Sequence, residues 1–590
     1  MTHSTITDAL LEQARRRPDR PAFTVVDGER GRAGVTYGEL CAGSLGVAAR
    51  LGERGLRRGE RVLVCLPTSL DLLRAIYGVL LGGGACVPVY PPLSPHLLDR
   101  WKEQLRATLR VAQPCGAIVA PAHRLHVAAV LAEHGEDLFV VTPAELADRG
   151  RAAPVPAQAG DLALVQFTSG TTSRPRGVAI SHGALMANVR ALVAALDLCE
   201  ADVSVSWLPP YHDMGLVGHV FTPVAGGVHQ YLMPPIRFLM RPARWLGLVS
   251  EVGATQTTAP NSAYSICVRR VPPEARAGLQ LQGLRWALNG AEVVQAETMR
   301  AFADAYAAGG LRAEALRPVY GLAEATLAAT LGPPGGARFD WVERRQFSTF
   351  ARAEPARPGA AGALGFACVG EPIAGHELVI VGPDGKPCAE RQVGEIRLRG
   401  PSVMEGYFND PQATRQVLRD GWLCTGDLGY LAAGMLHVTG RSKELIIKAG
   451  RNLLPADLEA ACQDEPRLRP GRAVAFGVPN PRTGTEDVVL VAEVRERAWV
   501  ADGLLRQRIA AAVAQRTTVR PDRVELVEPG TLPKTTSGKL QRAGVRDAYA
   551  RGVPLGRSRR ALALAGGLAE GARSLALLAR MRVRRLLGWE

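Results

Sequence analysis

Between an apolar run, Leu162 to Phe167, and a helical pattern, Ala184 to Leu198, lies Phe167-Thr168-Ser169-Gly170-Thr171-Thr172-Ser173-Arg174-Pro175-Arg176-Gly177-Val178. The apolar run reads as a buried strand, so this hydroxyl- and glycine-rich stretch is expected to be a strand-to-helix turn. Such a turn suits a polyphosphate. Backbone N–H groups and Ser/Thr hydroxyls donate to phosphate oxygens, and glycine lets the backbone come close. No G-x-x-x-x-G-K-[ST] spacing is present, so it is not a Walker A loop. Composition and position alone leave a phosphate site and an ordinary turn both open.

The strand-then-helix alternation recurs. Arg61-Val62-Leu63-Val64-Cys65-Leu66 precedes a helical pattern over Leu70 to Leu81, and strand signals return at Gly116 to Ala120 and Phe139 to Val141. This implies an α/β fold with mainly parallel sheets. The region Leu331 to Gly365 has little periodicity and reads as an insertion or long loop. Short β-runs follow from Cys368 to Leu398, turning at Pro383-Asp384-Gly385. A boundary is expected near Arg441 to Lys443, with a compact α+β unit after it. Residues 551–590 form a separate basic tail.

The length of 590 residues allows two or more domains. The net charge of +15 is concentrated at the end, where nine Arg against two Glu from Arg551 onward supply nearly half of it. The rest is only mildly basic, which argues against a nucleic-acid groove. That tail is expected to be a basic amphipathic helix for an acidic partner or an anionic membrane, or a solvated extension. The ten cysteines show no C-x-x-C pairing, so neither a zinc site nor a disulfide framework is expected. No signal core or membrane span is apparent, and a reduced cytoplasmic enzyme is the default. Lysine is scarce, six residues against 65 Arg, and four of the six, Lys443, Lys448, Lys534 and Lys539, fall in or beside two short motifs. A compact ammonium is expected to matter there.

Those motifs belong to an ordered series: Trp207 to Gly215, containing Tyr211-His212-Asp213-Met214-Gly215; Ala259-Pro260-Asn261-Ser262-Ala263-Tyr264; Asn289-Gly290-Ala291-Glu292; and Tyr320-Gly321-Leu322-Ala323-Glu324-Ala325-Thr326. Thr425-Gly426-Asp427, Gly440-Arg441-Ser442-Lys443-Glu444 and Pro533-Lys534-Thr535-Thr536-Ser537-Gly538-Lys539 complete it. The series resembles the adenylate-forming superfamily of acyl-CoA synthetases, peptide-synthetase adenylation domains and luciferases, over about Thr5 to Ala550. Its finer features, including Ala323 where the superfamily usually has Thr, resemble fatty acyl-AMP ligases.

The resemblance implies a large N-terminal adenylation domain over 1–441 with a small β-subdomain, and a mobile C-terminal domain over 442–550. An insertion restraining the C-terminal domain would fall within about 331–365. The implied reaction joins a fatty acid to ATP as acyl-AMP with loss of pyrophosphate. The acyl group then passes to the phosphopantetheine thiol of a separate acyl carrier protein in polyketide, peptide or lipid biosynthesis. Carried over residue by residue, Lys539 is the catalytic lysine, and His212 stands at the mouth of the acyl channel. Thr168, Ser169, Gly170, Thr171 and Thr172 hold phosphates, and Glu324 binds Mg²⁺. Tyr320 stacks on adenine, with Asn289, Gly290, Ala291, Gly321 and Thr326 around the nucleotide. Asp427 and Arg441 take the ribose, and Lys443 is the hinge. Asp213, Gly215, Gly218, Pro260, Asn261 and Tyr264 are expected near the acyl pocket. Arg176 stands where many relatives have Lys; it also neutralises phosphate. A long-chain acyl-CoA synthetase and a non-catalytic acyl-adenylate-binding module are the alternatives.

Overall fold

Residues 3–27, 31–92, 98–134, 138–147, 153–168, 175–360, 362–462, 465–534 and 540–553 are described in a computed structural model of the chain. The chain divides into two compact units. The first comprises Met1–Leu93, Arg100–Leu445 and Gly450–Leu454; the second comprises Ser94–Asp99, Ile446–Ala449 and Pro455–Glu590.

The first unit is built on two mixed sheets. In one, the strands Leu162–Phe167, Ala85–Pro88, Arg61–Cys65, Gly116–Val119 and Phe139–Val141 run parallel in that spatial order. Their runs are apolar because both faces are covered. The helix Leu70–Leu81 supplies one cover; Ser69 caps it, its hydroxyl accepting from the Leu72 amide at 3.1 Å. In the other sheet, His229–Leu232, Val203–Ser206, Gln256–Ala259, Trp286–Asn289 and Leu316–Gly321 are parallel. From Ala328–Leu331 onward this sheet continues antiparallel through Leu364–Pro372, Met435–Arg441, Trp422–Ala432, Gly394–Arg399 and Glu377–Val381. The alternation of strands and helices implies mainly parallel sheets; the antiparallel half departs from this because tight turns, such as Ala433-Gly434 between Trp422–Ala432 and Met435–Arg441, join adjacent strands directly.

The stretch expected as a long loop is ordered. Phe339–Val342 pairs with Leu364–Pro372, and Arg344–Phe350 is a helix. Val342, Phe347, Ala353, Leu364, Phe366, Tyr430 and Ala432 form one apolar cluster, with Leu454 packed on it. Asp340 fixes this segment to the sheet: its carboxylate takes both Arg391 Nη1 and Nη2, at 3.0 and 3.1 Å, and the Tyr430 hydroxyl at 2.7 Å. The anchors are too few and irregularly spaced to give a periodic signal.

The second unit carries the strands Leu468–Asn480, Thr485–Val494 and Arg523–Val527, the first pair antiparallel and the second parallel. The helices Gly503–Thr517 and Arg542–Ala550 accompany them. Its core holds Val474, Phe476, Val489, Val491, Val527, Leu532 and Val545. Fully buried Glu493 pairs with Arg469 at 2.8 Å and accepts from the Leu532 amide at 2.8 Å. Lys534 and Leu540 pair as an isolated antiparallel bridge.

Phe347→Ala should lower the stability of the first unit by about 3 kcal/mol, through lost burial and the cavity left behind. Denaturant unfolding followed by tryptophan fluorescence checks this; an unchanged midpoint would mean that residues 339–364 pack too loosely to count as core.

Candidate active site

The phosphate-suited stretch does not open a helix. Leu162–Phe167 pairs antiparallel with Gly177–Ser181, Phe167 opposite Gly177, so the stretch spans a hairpin and the helix begins only at His182. Gly177 to Ser181 form a wholly buried strand, so a strand and not the expected helix follows the phosphate-suited stretch. Thr168 stands at the hairpin's base, its amide donating to the Arg176 carbonyl at 3.2 Å. Ser169, Gly170, Thr171 and Thr172 lie outside the described residues, as do Lys539 and the tail after Val553.

Arg176 leads to Glu324 through a residue that the motifs did not single out. Tyr407 lies in the short strand Gly406–Tyr407, paired with Gly177–Ser181, and the Arg176 guanidinium sits 5.1 Å from its ring centre. The Tyr407 hydroxyl donates to Glu324 Oε1 at 2.8 Å. Burial, then the Glu324 carboxylate, push the Tyr407 hydroxyl's pKa up, so it remains a donor. Glu324 Oε2 accepts no hydrogen bond among the described residues. One oxygen held and one open fit a hard cation that also binds substrate phosphates. No cluster of three or more His, Cys, Asp or Glu suited to a metal occurs among the described residues.

Four residues before Glu324, the Tyr320 hydroxyl donates to Asp427 Oδ2 at 2.8 Å, and Arg441 Nε lies 3.1 Å from Asp427 Oδ1. The pairing of Asp427 opposite Arg441 on adjacent strands sets this geometry. Asp427 is buried and Arg441 exposed. Burial raises the Asp427 pKa, opposed by Arg441 and Tyr320. Burial and then Asp427 itself hold the Tyr320 hydroxyl protonated. Lys443 stands exposed in the single turn Ser442–Glu444, just before the long run of the first unit ends at Leu445.

His212 and Asp213 form a local pair, Nδ1 to Oδ1 at 2.5 Å, and Asp213 Oδ1 also caps the Met214 amide at 2.6 Å. Gly215 is required here, since a Cβ would stand 2.1 Å from the Pro209 carbonyl oxygen. Gly218 has room, with Leu327 at 3.5 Å from an added Cβ. Both glycines border or lie in the π-helical turn Val217–Phe221, whose buried His219 the motifs also missed. Burial lowers its pKa to about 4, so it is neutral, with Gln230 Oε1 and Ser204 Oγ beside Nδ1 at 3.2 and 3.3 Å.

Several expected ligand contacts are instead internal. Asn289 is buried, its amide donating to Asn261 Oδ1 at 3.3 Å and to Met299 Sδ at 3.0 Å. Asn261 also accepts from the Gln295 amide, and Pro260 is the cap of its helix, Asn261–Arg270. Tyr264 is wholly buried edge-on to Trp245 and Phe302, its hydroxyl on the Leu288 carbonyl at 2.8 Å, so it builds core and not pocket surface. Thr326 likewise spends its hydroxyl on the Ser402 carbonyl at 2.7 Å. Motif matching does not separate these roles, because the partners that turn these side chains inward are remote in the chain. Gly290, Gly321 and Ala291 shape backbone: an added Cβ would meet Val319 Cγ2 at 2.7 Å or the Leu327 carbonyl at 2.0 Å, and Ala291 has φ +67°.

The fold and this arrangement define an adenylate-forming enzyme. Residues 10–408 match the AMP-binding enzyme family, and the chain belongs to it. Among its relatives is the long-chain-fatty-acid–AMP ligase FadD26 of Mycobacterium tuberculosis, 32% identical over 93% of this chain and 98% of that one. The medium-chain-fatty-acid–[acyl-carrier-protein] ligase JamA of Moorena producens is also 32% identical, over 93% of this chain and 96% of JamA. A structure solved among fatty acyl-adenylate ligases of E. coli and L. pneumophila superposes with a TM-score of 0.88 at 33% identity, covering 93% of this chain and 98% of that one.

Because burial raises the Asp427 pKa, ionising it costs the folded state. The sign is therefore that Asp427→Asn should be at least as stable as the parent at pH 8, with the advantage shrinking as pH falls and the parent carboxyl protonates. Thermal melts from pH 8 down to about pH 4.5 read this; a variant much less stable at pH 8 would show that the Arg441 pairing outweighs burial.

Proposed function

We propose that the protein activates a fatty or related carboxylic acid with ATP and passes the acyl group to the phosphopantetheine thiol of an acyl carrier protein. The observation that carries this reading is the pairing, in one compact unit, of Tyr320–Asp427–Arg441 with Arg176–Tyr407–Glu324. The first set offers a carboxylate to two ribose hydroxyls beside an aromatic ring. The second offers a guanidinium and an oriented carboxylate where the phosphates would lie. The names of FadD26 and JamA, one for an AMP ligase and one for a carrier-protein ligase, support the two half-reactions.

In the first half-reaction a carboxylate oxygen of the acid attacks the α-phosphorus. The bond to the oxygen bridging to the β-phosphate breaks, and pyrophosphate leaves with that electron pair. Two anions must meet, so cationic groups have to offset the charge that builds at phosphorus. Arg176 and the hairpin from Thr168 would hold the β- and γ-phosphates. Lys539 is assigned the bridge between carboxylate and α-phosphate. Mg²⁺, held by Glu324 together with phosphate oxygens, would supply further charge neutralisation. In the second half-reaction the thiol gives its proton to solvent and sulfur attacks the acyl carbonyl carbon; the bond from that carbon to the phosphate oxygen breaks, and AMP leaves with its electron pair. His212, oriented by Asp213, would stand near the reacting carboxylate. The small second unit, with Lys443 before it, is assigned the rotation between half-reactions. The cytoplasm, where free ATP and carrier protein occur together, is the proposed place of action. No helix among the described residues is long and apolar enough to cross a membrane.

Lys539→Ala should slow fatty-acid-dependent pyrophosphate release by about 10²–10³-fold, as removal of one preorganised charge does. Pyrophosphate release at parental rate would remove the lysine from the chemistry. Acyl-AMP offered with a holo carrier protein and, separately, with coenzyme A should give thioester efficiently only with the carrier; efficient transfer to coenzyme A alone would make the protein an acyl-CoA synthetase.

A further inference from the structure

The segment that carries Glu324 is strained and is held from outside. Thr326 has φ +71° and ψ −56°, and the Leu327 amide donates to the Ala325 carbonyl at 2.9 Å. This is a γ-turn of the rare hand, here centred on a β-branched residue that disfavours positive φ. A conformation of this kind persists only where its surroundings impose it.

Three distant parts of the first unit do so. Asn188, fully buried on the helix His182–Ala195, donates from Nδ2 to the Ala325 carbonyl at 3.0 Å and the Ala328 carbonyl at 2.8 Å. Its Oδ1 accepts from the Ala328 amide at 3.2 Å. Both flanks of the turn are thereby tied to one side chain. Ser402, also fully buried, donates from Oγ to His376 Nε2 at 2.7 Å and stands 3.0 Å from Asn188 Nδ2, while its carbonyl takes the Thr326 hydroxyl. The Ser402 amide donates to His376 Nε2 at 3.2 Å, which makes that nitrogen an acceptor and leaves Nδ1 to donate to the Ala374 carbonyl at 3.1 Å. An added Cβ at Gly400 would stand 2.3 Å from the His376 ring, so the ring lies flat against that glycine.

The same chain segment also reaches Glu324 directly. Two residues past Ser402, the Met404 amide donates to the Glu324 carbonyl at 2.9 Å, and Tyr407 holds Oε1. We infer that Asn188, Ser402 and His376 are positioning residues: they impose the γ-turn at Thr326 and so aim the Glu324 carboxylate at a cation on the nucleotide's phosphates. This rests on the metal-binding reading of Glu324. None of the three need touch substrate. Their contribution is orientation settled before binding, which a flexible loop would have to settle on each binding event.

The test measures binding of a non-hydrolysable ATP analogue by calorimetry, with EDTA and with saturating Mg²⁺, beside a thermal melt of each variant. The parent and Thr326→Ser, which keeps the hydroxyl, should gain similarly in affinity from Mg²⁺. Asn188→Ala and the isosteric Thr326→Val should lose about tenfold of that gain, with metal-free affinity within about twofold of the parent's, as expected of lost orientation. Equal losses with and without Mg²⁺, or an undiminished Mg²⁺ gain in folded variants, would overturn the inference. Glu324→Gln separates the two readings. If it too keeps the full Mg²⁺ gain, the metal assignment of Glu324 fails; if it loses the gain while both brace variants keep it, the positioning role alone fails.

Discussion

The amide of Asn188 joins parts of the first unit that the chain itself keeps far apart. It sits on the helix that follows the hairpin strand Gly177–Ser181, and it ends on the carbonyls of Ala325 and Ala328, at the switch of the second sheet from parallel to antiparallel. The side chain is fully buried, so each of these bonds would leave a polar group unmatched if broken. Such a contact is selective about register. A shift of the helix by one residue would put an apolar side chain, Ala187 or Val189, in its place against those carbonyls.

Around that junction the site divides its work between rigid and exposed parts. Carboxylates that must accept hydrogen bonds are partnered: buried Asp427 by Tyr320 and Arg441, Glu324 by Tyr407. Burial raises the Asp427 pKa, a stability cost consistent with a group kept for binding and not for folding. The hinge is proposed at exposed Lys443, near the end of the first unit. In the second unit buried Glu493 accepts from the Leu532 amide, two residues before the bridge of Lys534 to Leu540.

The sequence is most informative where chemistry is local. The strands over Arg61–Cys65 and Leu162–Phe167 and the helix Leu70–Leu81 follow from uninterrupted apolar runs and a serine cap. The motif series leads to Asp427 beside Arg441 and to Glu324, because spacing along a strand or in a tight turn fixes their geometry. It does not show that Thr326, Asn289 and Tyr264 turn inward, since partners such as Ser402, Asn261 and Leu288 are remote in the chain. For the same reason no motif marks Tyr407, Asn188 or His376. The hairpin at Phe167 reads as a helix start because the buried residues Gly177 to Ser181 are too short a run to separate from the helix behind them. The region 331–365 looks structureless in sequence because a few irregularly spaced anchors, Asp340, Val342 and Phe347, hold it and not a repeat.

In the proposed reaction the acid's own oxygen attacks the α-phosphorus. Fatty acid labelled with ¹⁸O in its carboxylate, turned over with ATP and acceptor, tests this by mass spectrometry of the released nucleotide. Each AMP should carry one ¹⁸O atom taken from the acid, with none in pyrophosphate. Unlabelled AMP, or label in pyrophosphate or inorganic phosphate, would contradict it.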